Sequence, residues 1–136
     1  MRGRKPANIK PDVSPVEKVP TAPAWLSKDA KAEWRRVCPI LVNERRTLSE
    51  ADLPTLAAYC AAVGQVQEAS RILAKEGLTY SSDSGMPKKH PAVGIRHDAM
   101  TQVRQLGGEL GLTPVSRSRP AMRDSHDPED ASDLDL

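Results

Sequence analysis

Phenylalanine does not occur in this 136-residue chain, and its aromatic residues are Trp25, Trp34, Tyr59 and Tyr80 alone. Aromatic side chains supply much of the buried area of a small core, so this core has to be built from Leu, Val, Ile and Ala. An aliphatic core of that kind is marginal in a domain of under about 100 residues, which points to self-association. There are two cysteines, Cys38 and Cys60, without CxxC spacing. They read as reduced, small apolar residues. No apolar run reaches membrane-spanning length, and the N-terminal stretch has no apolar middle of the signal-peptide type. A cytosolic protein is expected.

Catalytic patterns are missing too. No Gly-rich loop with a following Lys-Ser/Thr is present, which speaks against nucleotide hydrolysis. His90, His97 and His126 do not combine with either cysteine at metal-ligand spacing. No Ser/His/Asp or Cys/His set has a supporting motif, and no carboxylate pair stands out. The sequence gives no reason to expect an enzyme, a metal or a cofactor.

What the chain does have is charge sorted to its ends. Lys and Arg number 20, Asp and Glu 18. Residues 1–20 carry Arg2, Arg4, Lys5, Lys10 and Lys18 against Asp12 and Glu17. From Asp124 onward there are six carboxylates and no Lys or Arg. Separation of this kind suits two segments with different partners. Residues 1–23 hold Pro6, Pro11, Pro15, Pro20 and Pro23 and read as a flexible basic Pro-rich arm. Its Arg2-Gly3-Arg4-Lys5-Pro6 resembles the core of an AT-hook with a lysine inserted. Such arms enter the narrow, electronegative A·T-rich minor groove of DNA. Residues 24–119 form the expected folded domain and 120–136 a disordered acidic tail.

Within the domain, period-3.6 patterning predicts helices. Ser27 is the expected N-cap of the first, with Asp29 in its opening turn. Leu26, Ala30, Trp34, Val37, Cys38 and Leu41 form its apolar stripe, and Pro39 is expected to kink it. Trp25 and Leu26 are expected to anchor the arm. The second helix begins at Ser49-Glu50-Ala51-Asp52, a capping box, or at Asp52, which places Pro54 in the tolerated first turn. Its main face is Leu53, Leu56, Cys60, Val63 and Leu73, with Tyr59 and Val66 flanking, and Gly77 closes it. Residues 78–91 read as a small hairpin turning at Asp83-Ser84-Gly85, with Pro87 on an edge. The third helix is expected from about Pro91 to Leu110, burying Val93, Met100, Val103, Leu106 and Leu110. Gly111 and Pro114 stop it. A basic segment with Arg117, Arg119 and Arg123 follows. Lys88 and Lys89 in the hairpin, with these arginines, are further candidates for phosphate contacts.

In order along the chain, several pieces resemble the small subunit of tailed-phage terminases. They are Arg-Gly-Arg-Lys-Pro at 2–6, Pro23-Ala24-Trp25-Leu26-Ser27, Ala32-Glu33-Trp34-Arg35-Arg36 with Pro39 and Leu41, and Leu48 through Asp52. Ala57-Ala58-Tyr59-Cys60, Glu76-Gly77-Leu78, Gly85, His90-Pro91-Ala92 and Glu109 through Arg119 complete the set. The resemblance spans roughly residues 2–119. It implies a mainly α-helical, non-catalytic protein that assembles into a ring in the cytoplasm of the infected bacterial host. It further implies recognition of viral concatemeric double-stranded DNA and its delivery to the large ATPase-nuclease subunit. No helix-turn-helix pattern is found here, and the acidic tail lies outside the shared region. On this reading Arg2, Arg4, Lys5 and Lys10, then Arg117 and Arg119, contact DNA. Trp34, Val37, Leu41, Leu53, Leu56 and Val63 form the core or the contact between copies. The alternative is a small oligomeric DNA-binding transcription regulator that uses the same basic arm.

Overall fold

A computed structural model describes residues 14–118. Helix α1 spans Lys28–Pro39, α2 Leu53–Glu76 and α3 Pro91–Glu109, with strands β1 (Thr79–Ser81) and β2 (Pro87–Lys89) between the last two. The described chain is therefore mainly helical, with one two-stranded antiparallel hairpin.

The local chemistry explains each boundary. The Ser27 hydroxyl accepts from the Ala30 N–H at 3.2 Å and caps α1. Pro39 does not break the chain from its helical path. It is the last residue of α1, and Ile40–Glu44 continues as a wider π turn. That turn closes with the Arg45 N–H donating to the Ile40 carbonyl at 3.0 Å. The change of winding begins directly after the residue that has no backbone donor to give. The two starts weighed for α2 are both used. Asp52 accepts from the Ser49 N–H at 3.0 Å and from its hydroxyl at 2.9 Å. Glu50–Asp52 forms a single 3₁₀ turn, and α2 follows with Pro54 in its first turn.

Contacts fix how the helices lie. Ser27 and Ala30 approach Gly64, Asp29 pairs with Arg71, and Glu33 meets Tyr59, so α1 runs antiparallel to α2. His90 pairs with Glu76, and Gly107 lies on Tyr59, so α3 returns antiparallel along α2. The main core joins α1, the π turn, Leu48 and the first half of α2, and Val103, Leu106, Leu110 and Leu112 pack against it. A smaller cluster of Ala69, Leu73 and Ala92, with Val93 against it, lies near the hairpin.

Two expectations about burial are corrected. Met100, assigned to the buried side of α3, is 49% exposed. The fully buried positions of α3 are the small ones, Ala92, Ala99 and Gly107, because small residues let two long helices approach closely and push larger side chains to the flanks. Trp25 does not anchor the N-terminal segment, being 68% exposed. That work falls to Leu26, which is buried, and to Trp34, whose indole N–H donates to the Pro20 carbonyl at 2.9 Å. Residues 14–23, which composition groups with the arm, thus lie against the helices, with Val16 and Ala22 on the core.

Candidate nucleic-acid interface

Arg45, Arg46 and Arg117 stand at one pole of the molecule, with Glu17, Asp52 and Glu109 beside them. The Val16 N–H donates to the Leu48 carbonyl at 2.8 Å, and Pro15 bridges to Ser49. This short pairing carries the N-terminal segment to the connector between α1 and α2, where Arg45 and Arg46 stand. Pro15, Val16, Glu17, Val42, Asn43 and Arg46 line a shallow pocket there. Arg46 is exposed and holds a φ of 52°, the left-handed region that side-chain-bearing residues seldom occupy.

Beside it runs a groove of about 510 Å3, lined by Leu41, Arg45, Thr47, Leu48, Asp52, Thr55, Glu109, Leu110, Gly111 and Arg117. Its far wall is the end of α3. The Leu112 N–H donates to the Gly107 carbonyl at 2.8 Å and the Gly111 N–H to the Gly108 carbonyl at 3.3 Å. With Gly111 at φ 71°, this is a Schellman cap. Leu112 packs back on the core. Arg45 donates to the Gly111 carbonyl at 2.7 Å and ties this cap to the π turn.

α3 has already ended at the Gly111 cap, and Pro114 opens a new helical turn over 114–118. Thr113 and Ser116 cap that turn reciprocally. The Ser116 N–H donates to Thr113 Oγ1 at 3.2 Å and the Thr113 N–H to Ser116 Oγ at 3.1 Å. Arg117 is therefore held on a capped turn, exposed, rather than on a loose basic segment.

Of the residues assigned to DNA from sequence, Arg117 lies in this groove. Arg2, Arg4, Lys5, Lys10 and Arg119 lie outside the described residues. The described chain begins at Ser14 and ends at Ser118, and both of these residues lie near the same pole. Lys10 is four residues from Ser14, a reach of at most about 14 Å, and Arg2 is within about 42 Å. Sequence reasoning missed Arg45 and Arg46 as members of the site. The Arg-Arg pair in a connector was the available signal.

The groove is mixed in charge, since Asp52 and Glu109 line it together with Arg45 and Arg117. Asp52 is already engaged by Ser49, and Arg45 by the Gly111 carbonyl. Arg117 and Arg46 are exposed at this pole, as are the carboxylates Glu44 and Glu50. Lys88 and Lys89 sit elsewhere, on β2 at the opposite end of α2.

A second polar cluster is buried. Glu33 is 7% exposed, pairs with Arg36 and accepts from the Tyr59 hydroxyl at 3.3 Å. Burial, and then the neighbouring Glu33 charge, pushes the Tyr59 phenol up to about 12. The guanidinium of Arg36 is held above its ordinary value by its hydrogen bond to Glu33. Burial also pushes the Cys60 thiol up to about 12, and raises Cys38. Both thiols are free and buried. Glu33 and Tyr59 are enclosed within the protomer, while the Arg36 side chain that pairs with Glu33 is exposed.

Trp34, Val37, Leu41 and Leu56 are buried within one protomer, and Leu53 and Val63 are partly buried against the same core. Their apolar area is largely used inside the chain. No helix among the described residues is long and apolar enough to cross a membrane.

Compared with known families, residues 30–127 match the phage terminase small subunit. The chain belongs to the phage terminase small subunit family. No curated protein and no solved structure matches it. The matched span takes in α1, the Arg45–Arg46 connector, α2, the hairpin, α3 and the Arg117 turn, and runs past the described residues. Membership of this terminase family implies a role in packaging phage DNA.

Proposed function

We propose that this chain is the non-catalytic DNA-recognition subunit of a phage genome-packaging terminase. It binds viral concatemeric DNA in the host cytoplasm and hands it to the large subunit, which carries the ATPase and nuclease. The observation that carries this reading is the family match over residues 30–127. The cation-bearing pole supports it. Arg46 and Arg117 stand near Ser14, from which the sequence continues to Lys10, Lys5, Arg4 and Arg2.

Each contact is weak by itself. Several copies in a ring raise the effective concentration of the remaining arms once one is bound. The groove of about 200 Å3 between α2 and α3, lined by Val63, Val66, Gln67, Met100 and Val103, supplies the described apolar surface for contact between copies. Trp34, Val37, Leu41 and Leu56 then serve that contact indirectly, as the core on which the groove rests.

Native mass measurement together with DNA binding tests the reading. A particle well above a dimer that binds duplex with a steep salt dependence supports it. A stable dimer favours a transcription regulator instead, and a protein with no salt-dependent DNA affinity overturns DNA recognition altogether.

A further inference from the structure

The hairpin is bare on both sides. Every residue of β1 and β2 is exposed. Tyr80 pairs with Lys88, and the pairing extends beyond the strands, with the Ser82 N–H donating to Met86 and the His90 N–H to Leu78. Side chains two residues apart share a face of a strand. Leu78, Tyr80, Met86 and Lys88 therefore lie on one face of the ribbon, and Thr79, Ser81, Pro87 and Lys89 on the other. Leu78, Tyr80 and Met86 are 58%, 45% and 63% exposed. A contiguous apolar strip left in water marks a contact surface, and lysines stand beside this one.

The chain itself holds a segment of matching chemistry. From Asp124 to Leu136 there are six carboxylates and no Lys or Arg, and the stretch closes with Asp133-Leu134-Asp135-Leu136. Acidic and apolar residues alternate there with a period of two. Laid out as an extended peptide, the two leucines fall on one side and the two carboxylates on the other. Reach permits a meeting. The described chain stops at Ser118, just beyond the end of α3, and α3 is 19 residues long, or about 28 Å. The fifteen residues from 119 to 133 can extend to about 50 Å.

We infer that the acidic C-terminal segment docks on the apolar face of the hairpin of its own chain. Leu134 and Leu136 cover Tyr80 and Met86, and carboxylates earlier in the segment, among Asp127, Glu129 and Asp130, meet Lys88 on the same face. While docked, the segment withholds Lys88 from any other polyanion.

Amide hydrogen exchange tests this without DNA, so the result stands apart from the packaging reading. Three proteins are compared at low salt: the full chain, a chain ending at Arg123, and the double variant Leu134→Ser/Leu136→Ser. Both altered proteins are expected to exchange several-fold faster over residues 79–89, with residues 56–69 of α2 unchanged as a control for folding. Equal exchange over 79–89 in all three overturns the docking. Isotope-labelled chain ending at Arg123 is then mixed with excess unlabelled full chain. Hairpin exchange that stays fast supports docking within one chain. Restored protection assigns the segment to a neighbouring copy and overturns the proposal as stated.

Discussion

Arg45 donates through Nη1 to the carbonyl of Gly111 at 2.7 Å, joining two points 66 residues apart in sequence. One is the end of the π turn after α1, the other the cap of α3. The bond is charge-assisted and only partly buried, so its contribution is put at about 1 kcal/mol. Arg45→Ala is expected to lower the urea midpoint accordingly and to speed amide exchange over 112–118, leaving 56–69 unaffected. Unchanged exchange over 112–118 would mean that the Schellman cap holds the Arg117 turn without Arg45.

Three glycine-to-alanine substitutions should have different outcomes for stated reasons. At Gly64 a new Cβ would stand 2.8 Å from Ser27 Oγ and 3.1 Å from two atoms of Ala30. Gly64→Ala is therefore expected to destabilise by about 1–3 kcal/mol, as overpacking does. At Gly94 nothing lies within 4 Å, and Gly94→Ala should stabilise α3 by up to about 1 kcal/mol. Gly111→Ala sets a side chain at φ 71° and should cost about 1–2 kcal/mol. Denaturant unfolding checks all three. A stabilising Gly64→Ala would refute the close approach of α1 to α2.

Alkaline pH should unfold the protein more readily than its charge balance suggests. Tyr59 and Cys60 are each pushed up to about 12 in the folded chain, against ordinary values of 10.0 and 9.0. Between the ordinary and the raised value the folded state holds protons that the unfolded state has released. Stability from these groups is thus complete below about pH 9 and declines as pH rises toward 12. Thermal unfolding followed from pH 8 to 12 should show this fall, and Tyr59→Phe should flatten its upper part. A Tyr59→Phe protein with the same pH slope as the parent would remove Tyr59 from the account.

For DNA, removal of residues 1–10 takes away Arg2, Arg4, Lys5 and Lys10. Each phosphate contact adds roughly 0.9 to the slope of log affinity against log salt, so the slope should fall by up to about 3.6. Arg117→Ala should lower it by about one further contact. Arg46→Gly separates affinity from folding. It removes a cation but relieves a left-handed backbone, so DNA binding should weaken while thermal stability holds or rises. An unchanged slope in the truncated chain would move DNA contact away from the arm.

The helices were legible because their signals are local. Ser27, the Ser49/Asp52 box, Gly85 in the hairpin turn and Gly111 all act within a few residues of themselves, where pattern and chemistry can be read together. What escaped was set by the path of the chain. Glu33 is buried beside Trp34 with Arg36, one turn on, and Tyr59, on another helix, as its partners, and the Tyr59 contact has no local sign in the sequence. Met100 fits the apolar period of α3, yet the close approach is made by Ala99 and Gly107, and the larger side chain is turned out. Thr113-Pro114-Val115-Ser116 did carry a local signal. It reads equally as a stop for one helix and a start for the next, and the structure, having ended α3 at the Gly111 cap, uses it as a start. Of the candidate interface, the cations were visible one by one. Their gathering at one pole depends on the Val16–Leu48 pairing and the Arg45–Gly111 bond, both long-range.

The pairing of Val16 with Leu48 has a geometric result for any closed assembly. Rotational symmetry about a single axis repeats every feature of a protomer at the same height. Where that axis runs along α2, Ser14 and Ser118, at one end of the helical body, would stand together on a single rim. The hairpins, a full length of α2 away, would form the opposite rim, and the two mouths of such a particle could not be interchanged.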